Sequence, residues 1–285
     1  MSDAAFISSH RQRIIDARRG SSRASERGFL GVSALLFVVS AAGTLAWSRS
    51  MSALSHMPIC GGPAMAVASM RMPGETWPDA AASFLGMWVV MMAAMMLPSL
   101  VPMLWGYRQT VGRAGEPRLA GLTVLAGLGY FAVWALSGVA AFPLGVAVTS
   151  SEMQLPALAQ AVPVAVGAVV LGAGAVQFTP WKARQLACCR ESSRRCGTLA
   201  ADAGTAWREG VRLGMQCGRC CGNLMAILLV VGVMDLRAMA AVTAAITAER
   251  LAPDGGRVAR AIGVVAVVAG LLLIAQAAGL GRSLP

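Results

Sequence analysis

Charge and histidine are both scarce in this 285-residue chain. Charged residues make up only 13% of it, and just two residues are histidine. Soluble domains carry about 25% charged residues, whereas 56% of this chain is hydrophobic. The composition therefore excludes an ordinary soluble domain. Because His56 is the single histidine outside the N-terminal tail, a zinc or di-iron enzyme built on imidazole ligands is also disfavoured.

Several motifs of soluble chemistry are missing from the sequence as well. It contains no Walker loop, no serine nucleophile elbow and no paired carboxylates, so neither a hydrolase nor an ATP-driven pump is indicated. The net charge is +11, yet no basic patch is interleaved with aromatic residues, as single-strand nucleic-acid binders require. We therefore expect no nucleic-acid partner, and we attribute the charge to membrane topology.

Apolar runs that approach or exceed ~20 residues, the length that crosses a ~30 Å hydrocarbon core, recur along the chain. They predict an all-α, polytopic transmembrane helix bundle with six or seven spans. We predict a basic cytoplasmic tail at 1–28, the first span at 29–47, an extracytoplasmic methionine-rich loop at 48–80, and the remaining bundle at 81–285. That bundle includes a cytoplasmic, cysteine-containing loop at 181–212. Its spans are expected at 81–105, 119–148, 156–180, 210–234, 238–248 and 261–280.

The distribution of basic residues predicts the orientation. With seven spans, 19 basic residues fall on one side of the membrane and four on the other, with Arg219 inside a span. The positive-inside rule then predicts a bacterial inner-membrane protein with a cytoplasmic N-terminus. Six spans remain possible because the apolar stretch after Asp235 is short. We expect Asp235 and Glu249 to lie at the membrane interfaces, where both would be solvated.

One uncharged stretch, Met87–Met103, holds six methionines and two prolines. Residues three or four apart share a helical face, so its central methionines form two neighbouring stripes. The prolines remove backbone donors and can kink the helix. A kinked helix lined by thioethers suits a path for a soft metal ion, although such a stripe also suits plain packing. The candidate thioether ligands are Met91, Met92, Met95 and Met96.

Six of the seven cysteines fall on or near the predicted inner side, where the cytosol keeps thiols reduced. They are Cys188, Cys189, Cys196, Cys217, Cys220 and Cys221. Reduced cysteines there suit metal ligands or redox centres better than structural disulfides. Cys217 can share a helical face with either Cys220 or Cys221, and nearby arginines favour thiolate. Inert burial remains the alternative reading.

The predicted outer loop is also rich in soft ligands. Thioether and imidazole groups bind copper in an oxidising space, so this segment could collect the ion before it reaches the bundle. A loop with incidental methionines is an equally good reading. The residues concerned are Met51, His56, Met57, Cys60, Met65, Met70 and Met72.

Several short motifs occur together between about residues 84 and 253. They are Trp88-x-x-Met91, Ala94-Met95-Met96-x-Pro98-x-x-x-Pro102, Tyr130-x-x-x-Trp134, Gln177-x-x-Pro180-x-Lys182, Cys189-Arg190, Gly210-x-x-x-Gly214-x-x-Cys217-x-x-Cys220-Cys221, Gly232-x-Met234 and Glu249. With them the chain resembles the predicted metal-binding integral membrane proteins called domain of unknown function 2182.

The resemblance implies copper handling, since proteins similar to this one are labelled copper chaperones. Three positions depart from the family pattern. Gln185 stands where the first of two cysteines is usual, Gly222 replaces a usual tryptophan, and Arg219 replaces a usual glycine. Cys188 is additional.

The sequence thus predicts a membrane protein that binds a soft metal ion, copper above all, and acts in metal handling or transfer. We expect its ligands among Cys217, Cys220, Cys221 and Cys189, together with the four candidate methionines. Its partners would be the lipid bilayer, the metal ion, and a soluble metal carrier or another membrane subunit. The alternatives are a membrane thiol oxidoreductase that uses quinone, and a non-catalytic assembly subunit of a membrane complex.

Overall fold

The computed structural model describes residues 25–50, 76–112, 118–192, 202–233 and 235–279. Within these ranges the chain forms eight α-helices and no β-strand, which confirms the predicted all-α class. The helices are α1 (Ser25–Ser50), α2 (Trp77–Gly112), α3 (Leu119–Gln154), α4 (Pro156–Val176), α5 (Pro180–Ser192), α6 (Ala203–Val231), α7 (Leu236–Leu251) and α8 (Gly255–Ala277).

Five of these helices, α1, α2, α3, α6 and α8, are long and apolar enough to cross a membrane. The bent pair α4 and α5 gives a sixth if it counts as one span. Helix α7 corresponds to the predicted short sixth span of the seven-span arrangement. Its 16 residues extend only about 24 Å at 1.5 Å per residue, so α7 is too short to cross a full hydrocarbon core by itself.

The chain bends sharply near the end of the predicted fourth span. Helix α4 ends at Val176, α5 begins at Pro180, and the two axes meet at an angle of 66°. The backbone amide of Lys182 donates a hydrogen bond to Thr179 Oγ1 at 3.2 Å, so Thr179 caps the new helix. Pro180 fits the first helical position because an amide there has no helical acceptor. The predicted loop at 181–212 is therefore helical at 181–192 and again from Ala203.

Helix α6 is the central element and packs against α3, α4, α5 and α7. Asp202 caps its first turn by accepting a hydrogen bond from the Thr205 amide at 2.9 Å. Hydrogen bonds from the Thr205 hydroxyl and from its amide hold the pKa of the Asp202 carboxyl below its usual value. At the other end Gly232 takes φ 130°, a conformation that side chains rarely allow. Asp235 then caps α7.

Glycines set the distance between α3 and α6. A Cβ atom at Gly129 would lie 2.6 Å from the Trp207 carbonyl oxygen, and one at Gly214 would lie 2.9 Å from the Tyr130 carbonyl oxygen. At Gly210 a Cβ would overlap the backbone of Ala126. Small residues spaced four apart let two membrane helices approach closely. This close approach brings the buried face of α3 against the cysteine-bearing turns of α6.

The core lies where α2, α3, α6 and α7 meet. Helix α2 is the most enclosed candidate span: 61% of its most apolar window is buried inside the protein, against 0% for α1. The Trp88 indole donates a hydrogen bond to the Trp134 carbonyl at 2.9 Å and fixes α2 against α3. The methionine-rich face of α2 therefore points into the bundle.

Candidate metal centre

Three sulfur atoms meet in the core between α2 and α6. Cys217 Sγ lies 3.8 Å from Met96 Sδ and 3.8 Å from Cys221 Sγ, one turn further along α6. None of the three residues is more than 1% exposed. Two sulfurs at this separation can both approach a shared ion to about 2.3 Å, the length of a zinc–thiolate bond. We call Met96, Cys217 and Cys221 the sulfur pocket.

Tyr130 of α3 completes one side of the sulfur pocket. Its hydroxyl donates a hydrogen bond to Cys217 Sγ at 2.9 Å, and the residue is fully buried. A hydrogen bond donated to sulfur favours the charged thiolate. Tyr130 was noted in the sequence only as part of a family motif, because its place beside Cys217 depends on how α3 packs against α6.

Cys189 and Cys220 form a second pair beside the pocket. The side chains of these residues interact, and both are buried. The Cys189 thiol also donates a hydrogen bond to the Gln216 carbonyl at 3.3 Å. Cys189 comes from α5, so the bend between α4 and α5 brings it to α6. The four predicted cysteine ligands thus lie in one buried region as two neighbouring pairs.

The four predicted thioethers are all in the core, but they do not all meet the cysteines. In the part of the chain that the structure describes, Met96 is the one whose sulfur is hydrogen-bonded to a cysteine. Met91, Met92 and Met95 are no more than 2% exposed and pack in the hydrophobic core. The structure brings together Met96 and the cysteines, and it leaves the other three methionines as buried neighbours along α2.

A buried ion pair lies next to these cysteines. Lys182 Nζ is 2.8 Å from Glu249 Oε2, and the two side chains are 1% and 2% exposed. Lys182 Nζ also donates to the Cys220 carbonyl at 2.6 Å and to Asn223 Oδ1 at 3.3 Å. The Gln177 amide donates to Glu249 Oε1 at 2.6 Å. Buried charges need such partners, because an unpaired charge in a protein interior is costly.

The expectation that Glu249 is solvated at the membrane interface is wrong. Its side chain faces α4 and α5 inside the bundle, whereas Asp235 is exposed at the start of α7, as expected of an interfacial residue. Lys182, treated as an inside-loop residue in the charge count, is likewise buried. Both residues belong to the motifs of the family resemblance, and that was the available signal for a shared role.

The three residues of the sulfur pocket are buried and lie apart from an apolar cavity in the bundle. An apolar cavity of about 450 Å³ lies between α2, α3, α4 and α6, lined by residues such as Phe84, Trp88 and Val233. Among the described residues that line this cavity there is no cysteine or methionine. An ion in the sulfur pocket would therefore be enclosed by protein atoms rather than by an open binding space.

The two ends of the predicted outer loop at 48–80 are helical, since residues 48–50 belong to α1 and residues 77–80 to α2. Its methionines, with His56 and Cys60, lie outside the described residues, as do most of the basic tail and Cys196. A collecting role for that loop stays a prediction.

A family model described as PpoB2, copper chaperone, matches residues 85–273, about two thirds of the chain. The chain belongs to the PpoB2 copper chaperone family. The matched region contains the sulfur pocket, the second cysteine pair and the buried ion pair. No curated protein and no solved structure matches the chain significantly.

The family match supports copper handling and agrees with the metal-binding resemblance drawn from the motifs. The name domain of unknown function 2182 stays a prediction, since the matched family carries another name. Within the described ranges, no three side chains of the types His, Cys, Asp and Glu are grouped to hold a metal ion. The sulfur pocket instead offers two thiols and one thioether, a donor set that suits Cu(I) better than Zn(II).

Proposed function

We propose that this protein is an integral membrane protein that binds Cu(I) in the sulfur pocket and acts in copper handling or transfer. The observation that carries the proposal is the convergence of sulfur from two helices. Met96 Sδ and Cys221 Sγ each lie 3.8 Å from Cys217 Sγ, in a buried core. The membership of a copper chaperone family supports the choice of ion.

The chemistry of the pocket favours Cu(I) over harder ions. Thiolate and thioether are soft ligands, whereas Mg²⁺ and Ca²⁺ prefer oxygen ligands. Burial also keeps out water, which would compete for the ion. Tyr130 supports the thiolate form of Cys217 by donating a hydrogen bond to its sulfur.

The second cysteine pair gives the ion a neighbouring place to move to. Cys220 adjoins Cys221 in sequence and lies in the same buried cluster as Cys189 of α5. Cu(I) could exchange between the pocket and this pair by replacing one sulfur ligand at a time. Met91, Met92 and Met95 would extend the soft surface along α2.

The proposed location is the bacterial inner membrane, with the N-terminus in the cytoplasm. Five or six helices of suitable length and the uneven distribution of basic residues support it. The partners would be the lipid bilayer and a soluble metal carrier or a second membrane subunit. In right-side-out membrane vesicles, a reporter fused to the N-terminus should be enclosed and should resist added protease. Digestion of the reporter there would contradict the orientation.

The test is a titration of the purified, reduced protein with Cu(I) against a chelator of known affinity. We expect the wild type to bind, and the combined Cys217→Ser, Cys220→Ser and Cys221→Ser variant to lose that binding. Cys188→Ser is the matched control, because it removes a thiol of α5 outside the sulfur pocket. Binding by the triple variant as tight as that of the wild type would refute the assignment.

The same protein can be tested for the rival redox role. Thiol–disulfide exchange requires a thiolate that reaches a disulfide partner, yet Cys217, Cys220 and Cys221 are no more than 1% exposed. Alkylation trapping in cells should therefore find these cysteines reduced. A trapped Cys217–Cys221 or Cys189–Cys220 disulfide would favour an oxidoreductase instead.

A further inference from the structure

Arg250, in the last turn of α7, is a buried cation without an acidic partner among the described residues. It is 8% exposed, and its Nη2 lies 3.9 Å from Cys189 Sγ. Its Nε and Nη1 atoms are buried without a hydrogen-bond partner. A guanidinium stays charged in proteins and carries five donor hydrogens. Something other than a carboxylate must balance this charge, because a lone buried charge is strongly destabilising.

The other buried charges near Arg250 cancel each other. Lys182 and Glu249 form an ion pair at 2.8 Å, and Gln177 donates to the carboxylate of Glu249. The described core therefore holds one surplus positive charge, on Arg250. The guanidinium lies 3.9 Å from Cys189 Sγ, and Cys217, Cys220 and Cys221 belong to the same buried cluster as Cys189. The surplus charge faces the sulfur atoms.

A role as a helix cap does not account for Arg250. Arginines near a helix C-terminus commonly bond the last carbonyls of that helix. The carbonyls that follow α7 are bonded instead by Arg190 of α5, whose Nη2 donates to the carbonyls of Ala252 and Pro253. Arg250 donates to no carbonyl in the described structure.

We propose that Arg250 is the counter-charge that makes the sulfur pocket selective for a monovalent soft ion. The inference rests on the proposed function and adds the charge class of the ion. When two thiols bind Cu(I), two S–H bonds break, two protons leave to solvent, and two sulfur–copper bonds form. The two thiolates then balance Cu(I) and the guanidinium, and the buried site is neutral. Zn(II) in the same place would leave one uncompensated positive charge.

The experiment compares full-length wild type with Arg250→Met and Arg250→Lys, each titrated with Cu(I) and, separately, with Zn(II) against competing chelators. Arg250→Met should lower the Cu(I) affinity about tenfold and raise the Zn(II) affinity about tenfold, so that the ratio of the two falls about a hundredfold. Arg250→Lys keeps the charge and should retain most of the wild-type ratio. Arg260→Met is the matched control, because Arg260 is exposed on α8 and should change neither affinity.

The outcomes separate the two proposals. If the wild type does not bind Cu(I), the proposed function itself fails. If the wild type binds Cu(I) and Arg250→Met keeps the same Cu(I) to Zn(II) ratio, the counter-charge role fails alone. A ratio that falls equally in Arg250→Lys would also overturn it, since charge would then not be the cause.

Thermal unfolding of the metal-free proteins guards against a purely structural effect. Arg250→Met replaces a buried cation that has no carboxylate partner by a side chain that fits a buried apolar space. Metal-free Arg250→Met should therefore melt at or above the wild-type temperature. A clear drop in the melting temperature of Arg250→Met and also of Arg250→Gln would mark Arg250 as a packing residue and overturn the proposal.

Discussion

Two helix interfaces of this protein are filled in opposite ways. Between α4 and α8, glycines bring the backbones together: a Cβ at Gly174 would lie 2.8 Å from the Val267 amide nitrogen, and one at Gly270 would lie 2.6 Å from the Leu171 amide nitrogen. Between α2, α6 and α7, the space is filled by thioethers, thiols and charged side chains. The first interface consists of close packing, whereas the second buries reactive groups.

The first interface contributes packing alone, whereas the second buries charged and sulfur-bearing groups that cost free energy to enclose. Close contact between a glycine and the backbone of the neighbouring helix gains van der Waals attraction and buries no charge. The core around α5, α6 and α7 carries Lys182, Glu249 and Arg250 at a cost in desolvation. Charged groups inside a membrane protein are often functional for this reason. Four substitutions test the contrast, in order of the expected change in free energy.

The largest change is expected when the buried ion pair is broken. Glu249→Gln leaves the Lys182 ammonium buried without an anion, which should lower the free energy of unfolding by about 3–5 kcal/mol. Asp254→Asn is the matched control. It neutralises the carboxylate of an exposed pair with Arg257, whose side chains are 55% and 81% exposed, and should cost about 0–1 kcal/mol. Chemical unfolding in detergent measures both; equal losses would contradict the contrast.

A smaller change is expected at the packed interface. Gly174→Ala forces a methyl group against the backbone of α8 and should destabilise the protein by about 1–3 kcal/mol. Gly172, two residues earlier on α4, has no atom within 4 Å of a built Cβ. Gly172→Ala should therefore be neutral or slightly stabilising, because alanine favours the helix. Copper affinity should not change in either folded variant, and a loss of affinity would link this interface to the site.

Next in size is the thioether of the sulfur pocket. Met96→Leu keeps the volume nearly constant but removes a sulfur 3.8 Å from Cys217 Sγ. The Cu(I) affinity should fall about tenfold, or about 1.4 kcal/mol. Met103→Leu is the control, since Met103 is also buried on α2 but lies seven residues beyond Met96. Unchanged affinity in Met96→Leu would remove the thioether from the ligand set.

The smallest change is expected at the two tyrosines of the chain. Tyr130→Phe deletes the hydrogen bond to Cys217 Sγ and should lower the free energy of unfolding of the metal-free protein by about 1 kcal/mol. Tyr107 is similarly buried, but its hydroxyl has no partner in the described structure. Tyr107→Phe should therefore cost nothing or stabilise the protein. A loss at Tyr107 as large as at Tyr130 would show that the bond to sulfur contributes little.

Much of the fold could be predicted from local pattern. The apolar runs predicted the helices, and α3 begins at Leu119 as expected. The bend after α4 lies close to the predicted end of the fourth span at residue 180, but helix α5 was predicted as loop, because Lys182, Arg184 and Arg190 make the segment too polar for a span. Proline at a first helical position and threonine as its cap are compatible with a bend, but they do not require one.

The candidate site was predicted in its residue types and only partly in its membership. Helical spacing allowed Cys217 to lie beside either Cys220 or Cys221, and the structure places its sulfur 3.8 Å from that of Cys221. No spacing rule could select Met96 over Met91, Met92 and Met95, because the choice depends on how α2 is rotated against α6. Tyr130 and Arg250 were not predicted as site residues for the same reason: each reaches the sulfur atoms from a separate helix.

The sequence by itself determined the composition of the bundle: long apolar helices, a methionine stripe, and thiols four residues apart on one turn. These properties depend on the transfer of side chains from water and on helix periodicity, both of which are local. Only the tertiary structure decided which sulfurs meet, that Lys182 pairs with Glu249, and that Arg250 faces the cysteines. Those contacts join residues tens of positions apart, so they depend on the bend after α4 and on glycine contacts that fix how the helices are rotated.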